Sequence, residues 1–87
     1  MEPVLVYPII YVLECENSKY YVGITTNFNY RWAQHLAGSG AKWTRLHKPI
    51  RVIEIITDNV SLKLETETAE KYIRQYGRLN VAGGGYT

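Results

Sequence analysis

The chain is almost without cysteine: Cys15 stands alone among 87 residues. A single thiol forms no internal disulfide. That excludes the cross-linked framework of a small secreted domain and points to a reducing compartment, cytoplasm or nucleus. No apolar run approaches the ~18 residues that span a bilayer. The opening Met1-Glu2-Pro3 lacks the basic start of a signal peptide. There is no internal repeat, and the one low-complexity stretch is Gly83-Gly84-Gly85. The most telling absence is of acid. All eight acidic residues fall outside the stretch from Asn17 to Ile53. That stretch carries Lys19, Arg31, Lys42, Arg45, Lys48 and Arg51, with His35 and His47. The net charge is only +2. A basic middle between acidic ends nevertheless predicts one positive face able to hold a polyanion. Affinity for nucleic acid is then expected to fall by nearly one power of salt concentration per phosphate neutralised. A binding titration that stays flat from low to high salt would contradict the patch.

The length suits one domain with one small core. Val4 to Glu14 reads as a strand rich in β-branched and aromatic residues, with regular pairing beginning at or after Pro8. Glu16 to Lys19 is a polar turn, and Tyr20 to Thr25 completes an antiparallel hairpin. In that second strand Tyr21, Gly23 and Thr25 share a face. A helix from about Asn27 to Leu36 aligns Phe28, Trp32 and Leu36, with Arg31 and His35 stacked on a neighbouring strip. Gly38 and Gly40 end it. Ala41 to Pro49 reads as a basic loop holding Trp43, and Arg51 to Ile56 as a third strand. Asp58-Asn59 supplies a turn and cap for a last helix from about Val60 to Tyr76. Gly77 to the end is a loop or short extended tail.

Helical phase singles out one carboxylate. At about 100° per residue, Leu62, Ala69, Tyr72, Ile73 and Tyr76 form a sector that includes Glu65 and leaves out Glu67 and Glu70. An inward, unpaired carboxylate costs several kcal/mol, so a cation or a functional role is expected for it. Tyr11, Tyr21 and Arg31 recur ten residues apart, and Asn80 follows late. Phosphodiester hydrolysis needs an aligned water, a base and charge at the phosphoryl oxygens. One carboxylate can anchor a single Mg²⁺, an arginine can clamp a phosphate, and a tyrosine can orient a water. Each residue also has a structural reading. Strand tyrosines are usually core, Arg31 a surface charge, His35 a helix-surface group, Glu65 the partner of a lysine or arginine, and Trp43 a cover for the core.

Order and spacing together are more specific. Ile9-Ile10-Tyr11, Tyr21-Val22-Gly23, Arg31 with His35 in Arg-Trp-Ala-Gln-His, then Gly-Ser-Gly-Ala-Lys-Trp-Thr-Arg and a helical glutamate resemble the GIY-YIG nuclease family. The similarity covers about Pro8 to Asn80 and is closest to the compact branch, with its small stand-alone bacterial members and structure-specific endonuclease domains. Two departures stand out: Ile9 replaces the glycine of the first triplet, and the end of the last helix lacks the lysines common in bacterial stand-alone members.

The resemblance implies an α/β (α+β) fold over residues 1–87: a three-stranded antiparallel sheet flanked by helices, in the order β-β-α-β-α. It implies a DNA endonuclease cutting one strand per site to 5′-phosphate and 3′-hydroxyl ends, structure-specific in the manner of repair or recombination enzymes. Glu65 would bind Mg²⁺, with Mn²⁺ as substitute. Tyr11 or Tyr21 would serve as general base or water-orienting group, and Arg31 would contact the scissile phosphate. His35 and Asn80 map onto the family histidine and asparagine. Arg31, Lys42, Trp43, Arg45, Lys48 and Asn80 would hold branched or flapped DNA, with further domains or a protein partner supplying selectivity. Two other classes stay open: a nucleic-acid-binding module that does not cut, and a protein-interaction domain.

Overall fold

The computed structural model describes residues 7–86. The expected strand positions Val4 to Val6 lie outside them. Regular pairing starts at Ile9, just after Pro8, in β1 (Ile9–Cys15). One 3₁₀ turn, Glu16–Ser18, leads into β2 (Lys19–Thr25). Asn17 and Ser18 take positive φ there, 63° and 57°, which lets the hairpin close tightly. The register then sets two signature triplets against each other: Tyr11 opposes Gly23, and Leu13 opposes Tyr21.

Strand β1 lies inside the sheet with both edges paired, and its side chains are buried on both faces. That explains an almost unbroken apolar run where a half-exposed strand would alternate. Ile10 and Val12 point to one side. Tyr11, Leu13 and Cys15 point to the other. The second side is covered by α1 (Phe28–Leu36) through Phe28 and Trp32. Asn27 caps α1, its side chain accepting from the Tyr30 amide at 3.1 Å. Leu36, expected in the buried stripe, is exposed, because the inward face of α1 runs through Phe28, Trp32 and His35 at i, i+4 and i+7.

Ala41 to Pro49 is not a loop. It forms a short helix, α2 (Lys42–Leu46), and the first residue of β3 (Pro49–Ile56). Five residues are too few to show an apolar period, so the helix left no pattern in the sequence. The other side of the sheet is covered by α3 (Leu62–Tyr76), which packs on β2 through Ala69 and Tyr72. Its cap is Ser61, accepting from the Leu64 amide at 3.0 Å, rather than Asp58-Asn59. The helix thus begins two residues later than the polar pair suggests, and Leu62 in its first turn is exposed.

The sheet has four strands, not three, and is not purely antiparallel. The stretch expected to be a tail contains β4 (Val81–Gly83), which pairs parallel to β2, giving the order β3-β1-β2-β4. Val81 and Ala82 are both buried, Val81 in the core with Ala69 and Tyr72 of α3. Gly83, with φ of 100°, faces Val22 so closely that a Cβ would overlap the Val22 carbonyl oxygen. Only glycine permits that approach. The chain then folds back on itself, Gly83 and Tyr86 exchanging backbone bonds of 2.7 and 2.9 Å.

Candidate active site

β4 stops at Gly83, so the edge of the sheet is short there. Tyr21 comes from the α1 side and Glu65 from the α3 side, and both line a groove of about 650 Å³ at this edge. Ala82 to Tyr86 line it too, with glycine at 83–85, as do Ala41, Lys42, Trp43 and Leu46 from α2 and its N-cap. Gly84 is pressed onto α3, where a Cβ would meet the Glu65 carbonyl oxygen and the Ala69 Cβ at 2.8 Å. Two side-chain-free residues thereby leave the opening through which the carboxylate and the phenol reach one space.

Glu65 is half-buried. Burial raises its pKa above the ordinary carboxylate range, and a backbone hydrogen bond with Gly84 pulls the other way. Among the described residues no lysine or arginine pairs with it, since the ion pairs found are Arg51–Glu14 and Lys71–Glu54. Glu67 is exposed. Glu70 accepts a 2.8 Å bond from the Tyr86 hydroxyl at the groove's end. No cluster of three acidic, histidine or cysteine ligands exists among the described residues. The donor set therefore fits a hard ion such as Mg²⁺, which needs one carboxylate and takes its other oxygens from water and a phosphate. It does not fit a closed zinc site.

Behind Tyr21 lies a buried chain of polar contacts. The Tyr11 hydroxyl is 2.8 Å from His35 Nε2, and His35 Nδ1 is 2.9 Å from Thr44 Oγ1. Tyr11 and His35 are each 1% exposed. Burial pushes the Tyr11 phenol up, and the neighbouring Tyr21 adds to this, while Arg31 opposes both. Tyr21 is also raised, chiefly by burial, again with Arg31 opposing. Burial, then the Arg31 charge, lowers His35 to about 4, so its ring is neutral at pH 7. The Arg31 charge acts on Tyr11, Tyr21 and His35 alike, and its guanidinium donates to Gln34 Oε1 at 3.1 Å.

Tyr11, Tyr21, Arg31, His35 and Glu65 thus come together. Lys42 and Trp43 join them at the groove. Trp43 packs edge-on against His47, and its buried Nε1 has no protein partner among the described residues. Arg45 and Lys48 are exposed and lie off the groove walls. Asn80 is engaged elsewhere: it accepts from Lys19 Nζ at 2.7 Å and donates to the Tyr76 carbonyl at 2.7 Å. It ties the end of α3 to the start of β2. Thr44, Gly83, Gly84 and Tyr86 belong to the site but were not singled out from the sequence. Thr44 lies in the Gly-Ala-Lys-Trp-Thr-Arg run, where its burial beside His35 has no local signature.

A hairpin carrying paired tyrosines, an arginine and histidine one helical turn apart, and a lone inward glutamate on a later helix define a small nuclease-type catalytic domain. Residues 7–81 match the GIY-YIG catalytic domain, and the chain belongs to that family. Several curated relatives are UPF0213 proteins. One from Cupriavidus necator is 48% identical over 61 residues, covering 67% of this chain and 66% of its own length. One from Streptococcus pneumoniae is 38% identical over 69 residues, covering 79% and 68%. One from Halobacterium salinarum is 39% identical over 69 residues, covering 79% and 87%. The chain therefore spans about two thirds of the length of the first of these. No solved structure matches. No helix among the described residues is long and apolar enough to cross a membrane.

Proposed function

We propose that the chain is a divalent-metal-dependent DNA endonuclease that hydrolyses one strand per site to 5′-phosphate and 3′-hydroxyl ends, acting on branched or flapped DNA. One observation carries this reading: Tyr21 and Glu65, which has no ion-pair partner among the described residues, line the same groove together with Lys42 and Trp43. Glu65 would hold Mg²⁺ or Mn²⁺, which when bound draws charge from the phosphoryl oxygens. Arg31 supplies a fixed positive charge and donors to the phosphate beside the two phenols. Tyr21, the less buried of the pair, orients the attacking water with its hydroxyl. Tyr11 is held back against His35 and supports Tyr21 from behind. Lys42 adds a point charge where the backbone of a bound strand would pass.

The decisive experiment is a cleavage screen with Mg²⁺ and Mn²⁺ over linear, flap, fork and four-way DNA, with Glu65→Ala as control. Metal-dependent cutting that vanishes in the control supports the proposal. Tight, salt-sensitive binding without cutting on any substrate would assign the scaffold to non-catalytic nucleic-acid binding. Arg31→Ala is expected to lower single-turnover cleavage by about 10²-fold, the usual scale for one lost transition-state donor. Unchanged turnover in that variant would remove Arg31 from the phosphate.

A further inference from the structure

The run Gly40 to Thr44 is part of the sequence signature, yet the proposed chemistry leaves most of it without a task. The structure supplies one through proton counting. Thr44 Oγ1 lies 2.9 Å from the Ala41 carbonyl oxygen and 2.9 Å from His35 Nδ1. A hydroxyl has one proton. A carbonyl can only accept, so that proton goes to Ala41, and Thr44 must accept from His35. Nδ1 therefore carries hydrogen. The ring is neutral because burial opposes its charged form, so Nε2 is bare. The bare Nε2 is 2.8 Å from the Tyr11 hydroxyl, which must then donate to it. The oxygen of Tyr11 is left facing Arg31 with lone pairs only.

We propose that Thr44 is a positioning residue: it locks His35 in the Nδ1–H tautomer and so aims the Tyr11 proton away from the groove. The direction of all three bonds follows from the Ala41 carbonyl at the start of α2. Gly40 keeps the assembly closed, since a Cβ there would lie 2.6 Å from His35 Nδ1 and would push the ring off Thr44. The charged and titratable groups around the ring are Arg31 on its own helix, Tyr11 on β1 and Tyr21 on β2. None of them bonds to Nδ1, and the Tyr11 hydroxyl can donate to or accept from Nε2, so Thr44 is the partner that fixes the tautomer.

The inference bears on catalysis only if the nuclease reading holds, but the tautomer itself can be read without turnover. Nitrogen-15 NMR of imidazole-labelled protein at pH 7 is expected to show His35 with a protonated Nδ1 and a bare Nε2. Thr44→Ser keeps the hydroxyl and should keep this spectrum. Thr44→Val removes it and should yield the Nε2–H form or a mixture, with Tyr11 losing its acceptor. Where the wild type cuts DNA, kcat in Thr44→Val is expected to fall about tenfold or more with KM little changed, and Thr44→Ser to restore it. A wild-type ring protonated at Nε2 would overturn the proposal. So would an unaltered tautomer in Thr44→Val. If Thr44→Val does not fold, the wild-type and Thr44→Ser spectra decide. A correct tautomer in a protein that cuts nothing sinks the nuclease reading and leaves this one standing.

Discussion

Glu65→Gln is expected to lower metal-dependent cleavage by about 10³-fold or more while making the protein melt at a higher temperature at pH 7. The first effect follows from the donor set, which contains this one carboxylate and no substitute among the described residues. The second follows from electrostatics. The folded-state pKa of Glu65 is raised by burial, so the folded chain binds this proton more tightly than the unfolded chain. The protonated group therefore favours folding below the ordinary carboxylate range, and that benefit is lost as pH rises through its raised folded-state pKa. At pH 7 the ionised form opposes folding. The backbone hydrogen bond with Gly84 and a place in the first turn of α3 offset only part of this. Glutamine keeps the shape and drops the charge. Thermal melts of both proteins at pH 7 and at pH 4 check it, with the gain shrinking at the lower pH. A glutamine variant that melts lower at pH 7, or still cuts, would refute the account.

Gly23→Ala is expected to destabilise the fold by about 2–6 kcal/mol. Gly23 sits opposite Tyr11 in the hairpin, and the phenol ring leans across the space a side chain would fill. A Cβ at 23 would overlap Tyr11 Cζ and the hydroxyl, and would lie 2.8 Å from Cε1. The ring has nowhere to go. It meets Phe28 edge-on at 5.4 Å and His35 at 5.7 Å between ring centres. Overpacking of a tight core costs about 1–3 kcal/mol, and a buried polar atom left without its partner about 1–3 more. Urea denaturation measures the total. A double-mutant cycle with Tyr11→Leu isolates the cause: in that background Gly23→Ala should cost much less, because the two residues share one space. Additive costs would mean that the strain lies elsewhere.

The elements with strong local periodicity were legible. The hairpin, α1, β3 and α3 all appear in the sequence, with ends displaced by a few residues. The misses share a cause. α2 spans five residues and β4 three, too short to show a period. β4 also ends in glycine and pairs parallel with a strand some sixty residues earlier, a contact that no neighbouring residue announces. Asn80 likewise owes its partners to the tertiary structure: its amide accepts from Lys19 and donates to the Tyr76 carbonyl at the end of α3, a tie across the fold that the sequence does not announce.

What the sequence determined by itself was the phase of each element. Side-chain direction along a strand or helix repeats every 2 or 3.6 residues. Tyr21 and Gly23 therefore share a face, and Glu65 turns inward while Glu67 does not. The meeting of these faces was decided by tertiary structure alone. Tyr21 and Glu65 lie on opposite sides of the sheet, and they share one groove because β4 ends early and Gly83 and Gly84 put no side chain between them. His35 and Thr44 belong to different helices, and only the packing of α2 against α1 brings their polar atoms to 2.9 Å. Phase is local geometry, whereas adjacency depends on how the whole chain closes around its core.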